Sequence, residues 1–532
     1  MTRLSGVNPS AAAAAVVVDE LIRAGVRHAV LVAGPRNAPL AIALNAADRA
    51  GRITLHVRID LRSAAFLALG LAQRTLRPVP VVGTDAESAT HALPALRVAE
   101  QTRVPLVLLT AEAEWQEGTF GPLLPTVDLG MPRREPGRNA AWRSTVNRVL
   151  ATATGVLDGY IGPAHLNLPF ATTVEVGDAW PDSLDGRPDG RRWTTLPVGW
   201  RPQPEVGPPL DKVPTLVVAG PGANGGIALL AAQYNWPLIA EPGSPSWGAP
   251  GVIAGGGLLL GAPNLPEPLR PARIVVAGRP EQYGSVRRWL ADPEVEVCVL
   301  ADSPLWPDQA GTADRVLRSM PAAVPNPQEW LADWHEADRL AGIVTAKVLG
   351  DLPWWSGLRL ARTLVAAIPV EAQVSIGDGE PLRDVTQASG PRDGLRLMPV
   401  PAGGGVAAAI GAALAHDGPA YALLGERSLL EDAGALLIGG TEQRPPLTLV
   451  VRPDVPSGGF ERLFGIPATR LPALAAASGI EYRAVSTEEE FVEALDPTGL
   501  LRIVHVIPGQ EDVAGSHGRL YAAIAAIFGP VA

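Results

Sequence analysis

The chain has 532 residues, 47% of them hydrophobic and 18% charged, which describes a folded protein of about three domains of ordinary size. Its net charge of −10 argues against a general nucleic-acid binder, because the sequence has no basic stripe that could displace counterions from phosphates. The single cysteine, Cys298, excludes a disulfide within the chain. No uncharged apolar run is long enough to cross a membrane, so we expect a cytoplasmic protein with no membrane partner.

The first unit, residues 1–185, alternates helices with short aliphatic strands. We predict strands at 28–33, 53–58, 79–83 and 105–110, and helices at 9–24, 62–75 and 91–102. Such strands are typical of a parallel sheet that is covered on both faces. Arg36 and Asn37 follow the first strand, at the kind of corner where open α/β sheets bind ligands. An arginine that only stabilises the loop would give the same pattern.

A segment at 186–210 is rich in Pro, Gly, Asp and Arg and has no periodicity, so we predict a linker there. A second α/β unit follows at 211–335. Its loop Gly220-Pro221-Gly222-Ala223-Asn224-Gly225 comes after a strand and opens a helix, and Glu241 ends the next strand. This arrangement fits a dinucleotide-binding fingerprint, in which an acid follows the glycines by about 20 residues.

The third unit, residues 336–532, repeats the style of the first. We predict its strands at 372–376, 395–400, 420–424, 447–451, 481–485 and 501–507. The sequence therefore predicts an α/β protein with three doubly wound parallel-sheet domains. Gly425-Glu426 ends one strand and Pro453-Asp454 follows the next, which is the layout of a metal-diphosphate clamp. The alternative is two solvated acids at the ends of loops.

Several motifs of the three units together resemble one enzyme family. They are Gly34-Pro35-Arg36-Asn37-Ala38-Pro39-Leu40, residues 56–72, Trp142-Arg143-Ser144, residues 162–169, Pro381-Leu382-Arg383-Asp384-Val385 and Leu463-Phe464-Gly465-Ile466-Pro467. With these motifs the chain resembles the MenD family, the thiamine-diphosphate-dependent SEPHCHC synthases of menaquinone biosynthesis. The resemblance implies the pyruvate-decarboxylase-like architecture: a pyrimidine-binding domain at 1–185, a central Rossmann-like domain at 211–335 and a diphosphate-binding domain at 336–532. It also implies a homodimer or homotetramer with sites between subunits.

The family decarboxylates 2-oxoglutarate and transfers the succinyl group to isochorismate, with thiamine diphosphate and Mg²⁺ as cofactors. By this resemblance Arg36, Asn37 and Arg383 would bind the small anionic substrates, and Glu426 and Asp454 would bind the metal. The residues implied for cofactor binding are Gly425, Ser428, Gly458, Gly459 and Phe460.

The chain departs from the family pattern at positions that the resemblance assigns to the cofactor, the metal and the substrate. Leu61 stands where the family has the glutamate that activates the cofactor, and a leucine side chain offers no hydrogen-bond acceptor. Glu426 replaces an aspartate, the expected asparagine meets Pro453 or Asp454, and Glu112 lies where the family has asparagine. We therefore expect weakened or altered thiamine chemistry. The alternative is a catalytically silent paralogue that binds an anion or regulates a partner subunit, and a remoter one is a dinucleotide-binding protein.

Overall fold

A computed structural model describes residues 8–113, 120–121, 124–171, 180–197, 210–301, 306–320, 322–440, 442–454 and 470–529. The chain divides into two compact units. Unit 1 consists of residues 1–201, 403–415 and 432–444, and unit 2 of residues 202–402, 416–431 and 445–532. The domain boundaries given above at 185, 210 and 335 stay predictions.

The described strands form three sheets, and every pairing in them is parallel, which confirms the predicted fold class. Sheet 1, in unit 1, contains β1 (His28–Leu31), β2 (Thr54–Val57), β3 (Val79–Val82), β4 (Leu106–Thr110), β5 (Thr126–Asp128) and β6 (Ala164–Asn167). Sheet 2, in unit 2, contains β7 (Thr215–Ala219), β8 (Leu238–Ala240), β9 (Arg273–Ala277), β10 (Glu296–Leu300) and β11 (Arg315–Leu317). Sheet 3, also in unit 2, contains β12 (Gln373–Gly377), β13 (Arg396–Val400), β14 (Ala420–Gly425), β15 (Leu447–Arg452), β16 (Glu481–Val485) and β17 (Arg502–Val506).

Helices connect these strands. In chain order the described α-helices are α1 (Pro9–Arg23), α2 (Ala38–Arg49), α3 (Leu61–Thr75), α4 (Ala86–Ala89), α5 (Leu93–Thr102), α6 (Arg138–Thr154), α7 (Ile227–Gln233), α8 (Gly256–Leu259), α9 (Gly284–Leu290), α10 (Gln328–Gly350), α11 (Gly357–Ala367), α12 (Glu380–Ala388), α13 (Gly405–Leu414), α14 (Glu426–Glu431), α15 (Leu471–Ala477), α16 (Glu488–Glu493) and α17 (Ser516–Ala525). None of them is long and apolar enough to cross a membrane.

The central strands are buried on both faces, as parallel sheets between helices require. All five residues of β4, β7 and β9 are buried, and so are all six of β14 and β15. In unit 1, helix α13 packs along α3, whose residues from Ser63 to Ala72 are buried. A helix from late in the chain therefore completes the core of the first unit.

In each sheet the strand order reverses at a switch point beside the first strand of that sheet. It lies between β1 and β3 in sheet 1, between β7 and β9 in sheet 2, and between β12 and β14 in sheet 3. Open α/β sheets bind ligands at the carboxyl ends of the strands beside such a switch point, because the loops diverge there. The three switch points are therefore the places to look for function.

Residues 180–197 carry no helix or strand but are tied to unit 1. The Nη2 atom of Arg143 donates to the carbonyl of Leu184 at 3.0 Å, and the Nδ2 atom of Asn139 donates to the carbonyl of Ser183 at 3.0 Å. Trp180 packs edge-on against Trp142. Within the predicted linker, the carbonyl of Arg187 accepts from Arg23 Nη1 at 2.9 Å, so part of that segment also runs along the surface of unit 1.

Candidate functional site

At the switch point of sheet 1, Asn37 joins the loops that follow β1 and β3. Its side chain is fully buried. The Nδ2 atom donates to the carbonyls of Val32 and Gly83 at 2.8 and 2.9 Å, and Oδ1 accepts from the backbone N–H of Gly34 at 2.9 Å. The amide is thus engaged in holding the two loops together, and its contact with a substrate stays a prediction.

Arg36, the neighbour of Asn37, reaches out from the same loop. Its side chain is half exposed and lies 3.3 Å from the carboxylate of Glu112, which follows β4. That carboxylate also accepts from the backbone N–H of Ala86 at 3.2 Å. Such an exposed pair contributes about 0–1 kcal/mol to stability, but it places an acid where an anion would approach Arg36.

Leu61 is the first residue of α3 and is buried against Gly83, the residue that follows β3. The carboxylate of Asp60 caps the helix, accepting from the backbone N–H groups of Ser63 at 2.9 Å and Arg62 at 3.4 Å. Burial acts to raise the pKa of Asp60, but these hydrogen bonds hold it below its ordinary value. The acid beside Leu61 is therefore an ionised helix cap, and Leu61 itself brings only hydrocarbon to this position.

Asp432 is a buried acid of unit 1 that our sequence analysis did not identify as functional. Its carboxylate accepts from Ser63 Oγ on α3 at 3.3 Å and from the backbone N–H of Ala407 on α13 at 2.8 Å. Burial raises its pKa to about 6. Asp432 thus links α3 to α13 one turn or less from Leu61, a role that only the folded arrangement of distant segments could reveal.

At the switch point of sheet 3, Glu426 begins α14 directly after β14. Asp454 lies two residues beyond β15 and packs against Gly425, and its Oδ2 atom accepts from the backbone N–H of Arg427 at 2.7 Å. Burial and the negative charge of Asp454 raise the pKa of Glu426. The two acids predicted as metal ligands are therefore close enough to repel each other.

Arg383 lies on α12, which follows β12 at the same switch point. It is exposed, whereas its neighbours Leu382 and Asp384 are buried. Among the predicted cofactor contacts, Gly425 is buried at the end of β14 and Ser428 is half-buried on α14. Gly458, Gly459 and Phe460 lie outside the described residues. The structure thus brings Arg383, Glu426 and Asp454 to the carboxyl edge of one sheet.

The switch point of sheet 2 is filled by the protein's own backbone. The backbone N–H of Arg279 donates to the carbonyl of Pro221 at 2.9 Å, and a Cβ atom at Gly220 would collide with the backbone of Arg279 and Pro280. Gly220 is therefore required for two protein loops to approach each other.

Glu241, the acid of the dinucleotide fingerprint, is fully buried. Its carboxylate accepts from the backbone N–H groups of Glu281, Gln282 and Tyr283 at 2.7, 2.9 and 3.3 Å. Burial raises its pKa to about 7. The glycine and the acid that fit a dinucleotide-binding fingerprint are thus both used to pack the domain.

Comparisons with known proteins agree with the geometry. The family model for the thiamine pyrophosphate enzyme N-terminal TPP binding domain matches residues 11–120. The 2-succinyl-5-enolpyruvyl-6-hydroxy-3-cyclohexene-1-carboxylate synthase of Saccharopolyspora erythraea is 39% identical over 97% of this chain and 99% of its own length. The enzymes of the same name from Nocardia farcinica and Rhodococcus erythropolis are 37% and 36% identical, over 98% and 97% of this chain and 100% of their own length.

The chain belongs to the SEPHCHC synthase family. Its three parallel sheets and the matched N-terminal domain are those of a thiamine-diphosphate-enzyme architecture.

Glu426 and Asp454 fit a divalent cation. Carboxylate oxygens are the ligands that Mg²⁺ takes, and a cation between these two acids would offset the repulsion that raises the pKa of Glu426. Within the described part of the chain no three acid, histidine or cysteine side chains converge as a metal site, so the pair would supply two ligands. Mg²⁺ commonly takes the rest from water and phosphate oxygens.

Leu61 does not fit the activating role. The family's glutamate accepts or donates a hydrogen bond at the pyrimidine ring, and no atom of a leucine side chain can do either. The Glu426–Asp454 pair thus fits a divalent cation, whereas Leu61 does not fit the activating role.

Proposed function

We propose that this chain is a SEPHCHC-synthase-type protein of menaquinone biosynthesis whose thiamine chemistry is weakened or altered. In that activity 2-oxoglutarate is decarboxylated and the succinyl group is transferred to isochorismate. Thiamine diphosphate, when bound, supplies the electron sink for the decarboxylation. The chain's own residues would bind and orient the anions and hold the cation.

The binding role rests on three charges at the switch point of sheet 3. Arg383 is exposed and its planar guanidinium suits the two oxygens of a carboxylate. Glu426 and Asp454 would hold Mg²⁺ and through it a diphosphate. These residues follow β12, β14 and β15, three adjacent strands, which supports one site rather than three unrelated charges.

The single observation that carries the proposal of weakened chemistry is the buried Leu61. Loss of a positioned acid or base lowers a rate by roughly 10²–10⁴-fold. Asp60 does not replace it, because its carboxylate caps α3. Asp432, the other acid near this turn, is already bonded to Ser63 and to the backbone of Ala407, so we infer a slow or altered reaction.

The second candidate is a catalytically silent paralogue that binds an anion or regulates a partner subunit. The pairing of Arg36 with Glu112 favours it, because the acid competes with any anionic substrate for that arginine. Self-association into a dimer or tetramer, with sites between subunits, belongs to both candidates and is checked by analytical ultracentrifugation.

Calorimetric titration with thiamine diphosphate and Mg²⁺ separates the candidates. The proposal predicts binding, together with slow decarboxylation of 2-oxoglutarate that rises by about 10²-fold or more in Leu61→Glu. Leu61→Gln is the matched control, because it adds a polar group of the same length without the acid and should gain little. No heat at millimolar cofactor would leave only the silent candidate, and an unchanged rate in Leu61→Glu would place the impairment elsewhere.

A further inference from the structure

Helix α12 presents Arg383 on an otherwise buried surface. From Pro381 to Ser389 every residue except Arg383 is buried. The backbone N–H of Arg383 bonds within the chain, but among the described residues its side chain has no hydrogen bond or ion pair, so no partner holds the guanidinium directly. Its position depends on how α12 itself is held.

Asp384, the next residue, is almost fully buried and pairs with an arginine and a histidine from other elements. The Nη1 atom of Arg452, the last residue of β15, donates to Asp384 Oδ2 at 2.5 Å. The Nη2 atom of Arg452 lies 3.0 Å from Glu380 Oε2, at the start of α12. One buried arginine thus ties both ends of the first turn of α12 to the strand that leads to Asp454.

A second tie comes from α17. The Nε2 atom of His517 lies 3.0 Å from Asp384 Oδ1, and its Nδ1 atom lies 2.7 Å from Gln387 Oε1. One turn further along α17, the hydroxyl of Tyr521 accepts from Gln387 Nε2 at 3.3 Å. Helix α12 is therefore held by charged or polar partners at residues 380, 384 and 387.

We propose that Asp384 is a positioning residue, which fixes α12 through Arg452 and His517 so that Arg383 meets the carboxylate of the oxoacid. The inference rests on the proposed function, because it assigns Arg383 to the oxoacid. The same contacts connect Arg383 to the proposed metal ligand Asp454, because Arg452 and Asp454 are two residues apart at the end of β15. Misplacement of a binding group by about 1 Å is enough to lose much of its effect.

The direction in which Asp384→Asn changes anion affinity distinguishes a positioning role from a purely electrostatic one. Asp384 is an acid one residue from an anion-binding arginine, so on electrostatic grounds alone Asp384→Asn should tighten anion binding. A positioning role predicts the reverse, because the neutral amide cannot accept from both Arg452 and His517. The isosteric asparagine also respects the limited space, since Asp384 lies against Gly357.

The test is the Kd of glutarate, a dicarboxylate that cannot be decarboxylated as an oxoacid, measured by calorimetry on the full-length protein with thiamine diphosphate and Mg²⁺ present. We expect Arg383→Gln to weaken binding by about 10- to 100-fold and Asp384→Asn by roughly tenfold. The double variant should bind no more weakly than Arg383→Gln alone, because both changes remove the same contact. His517→Gln, which keeps a hydrogen-bond donor, should retain more affinity than His517→Ala, and this pair also serves if Asp384→Asn does not fold.

Glu296→Gln is the matched control. It breaks the pair between Glu296 and the buried Arg273 in sheet 2, at 2.6 Å, and should lower the Tm without changing the Kd of glutarate. Unchanged or tighter binding by Asp384→Asn, or losses that multiply in the double variant, would overturn the positioning role alone. A wild-type protein that binds no glutarate would overturn the proposed anion site and this inference with it.

Discussion

Unit 2 has two switch points with the same strand topology. Protein loops fill the one in sheet 2, whereas the one in sheet 3 carries charged side chains. At the switch point of sheet 2, the loop after β7 packs backbone to backbone on the loop after β9, and Glu241 is bound by three backbone N–H groups. At the switch point of sheet 3, Arg383 is exposed, and burial and the charge of Asp454 raise the pKa of Glu426. Strand order therefore indicates where a ligand can bind, and the side chains decide whether one does.

The largest expected effect concerns Glu241. Because burial raises its pKa from an ordinary 4.5 to about 7, the folded protein retains a proton that the unfolded chain has released between these pH values. Its contribution to stability is therefore full below pH 4.5 and is lost as pH rises to 7, by on the order of 3 kcal/mol. The free energy of unfolding, measured with urea from pH 4.5 to 8, should fall with pH by this amount in the wild type and not in Glu241→Gln. Glu281→Gln removes an exposed acid of the same loop whose charge adds least to the raised pKa, so it should keep most of the slope; equal slopes in all three proteins would contradict the buried role.

The second prediction concerns the closed loops of sheet 2. Gly220→Ala should lower the free energy of unfolding by about 2 kcal/mol, because the added methyl group enters space occupied by the backbone of residues 279 and 280. Gly225→Ala is the control in the same loop, since a Cβ atom there meets nothing within 4 Å. A Gly220→Ala protein as stable as the control would mean that the loops have room for a ligand after all.

The third prediction concerns the open acids of sheet 3. Without metal, Glu426→Gln should raise stability slightly, by less than about 1 kcal/mol, because it relieves the repulsion from Asp454 in a partly exposed setting. Millimolar Mg²⁺ should raise the Tm of the wild type by mass action and should not raise that of Glu426→Gln. Glu431→Gln, at the other end of α14, should respond to Mg²⁺ as the wild type does; a metal response that persists in Glu426→Gln would remove this acid from the metal site.

The last prediction is that dinucleotides do not bind. Titration of the wild type with NADH or FAD should give no binding heat, because Gly220 and Glu241 already serve the protein's own backbone. Saturable binding by the wild type that is lost in Glu241→Gln would support the dinucleotide-binding alternative. The two switch points of unit 2 would then both bind ligands.

Much of the fold could be predicted from the sequence, because its strands are short aliphatic runs between turn residues. The predicted bounds of β16 agree with the structure, and those of β1 and β15 differ by one or two residues. β5 and β6 were missed because they are short and polar. In β6 the buried His165 and Asn167 bond to Thr110, a partner that no local pattern reveals.

The candidate site was predictable only in part. Strand ends marked Glu426 and Asp454, because parallel strands bring their carboxyl ends to one edge, and the family resemblance marked Arg383. The network of Asp384, Arg452 and His517 was not predicted, since it depends on contacts among a helix, a strand and a second helix that are far apart in the sequence. The resemblance to a known family located Leu61, but the cap formed by Asp60 became evident only from the hydrogen bonds.

Unit 1 also has a consequence for how the protein is made. Its core includes residues 403–415 and 432–444, which pack with α3 although the ribosome synthesises them long after that helix. At synthesis rates of roughly 5–20 residues per second, the apolar side of α3 is exposed for tens of seconds before α13 emerges. The nascent N-terminal part therefore passes through a stage with an incomplete core, at which a chaperone would find its binding surface.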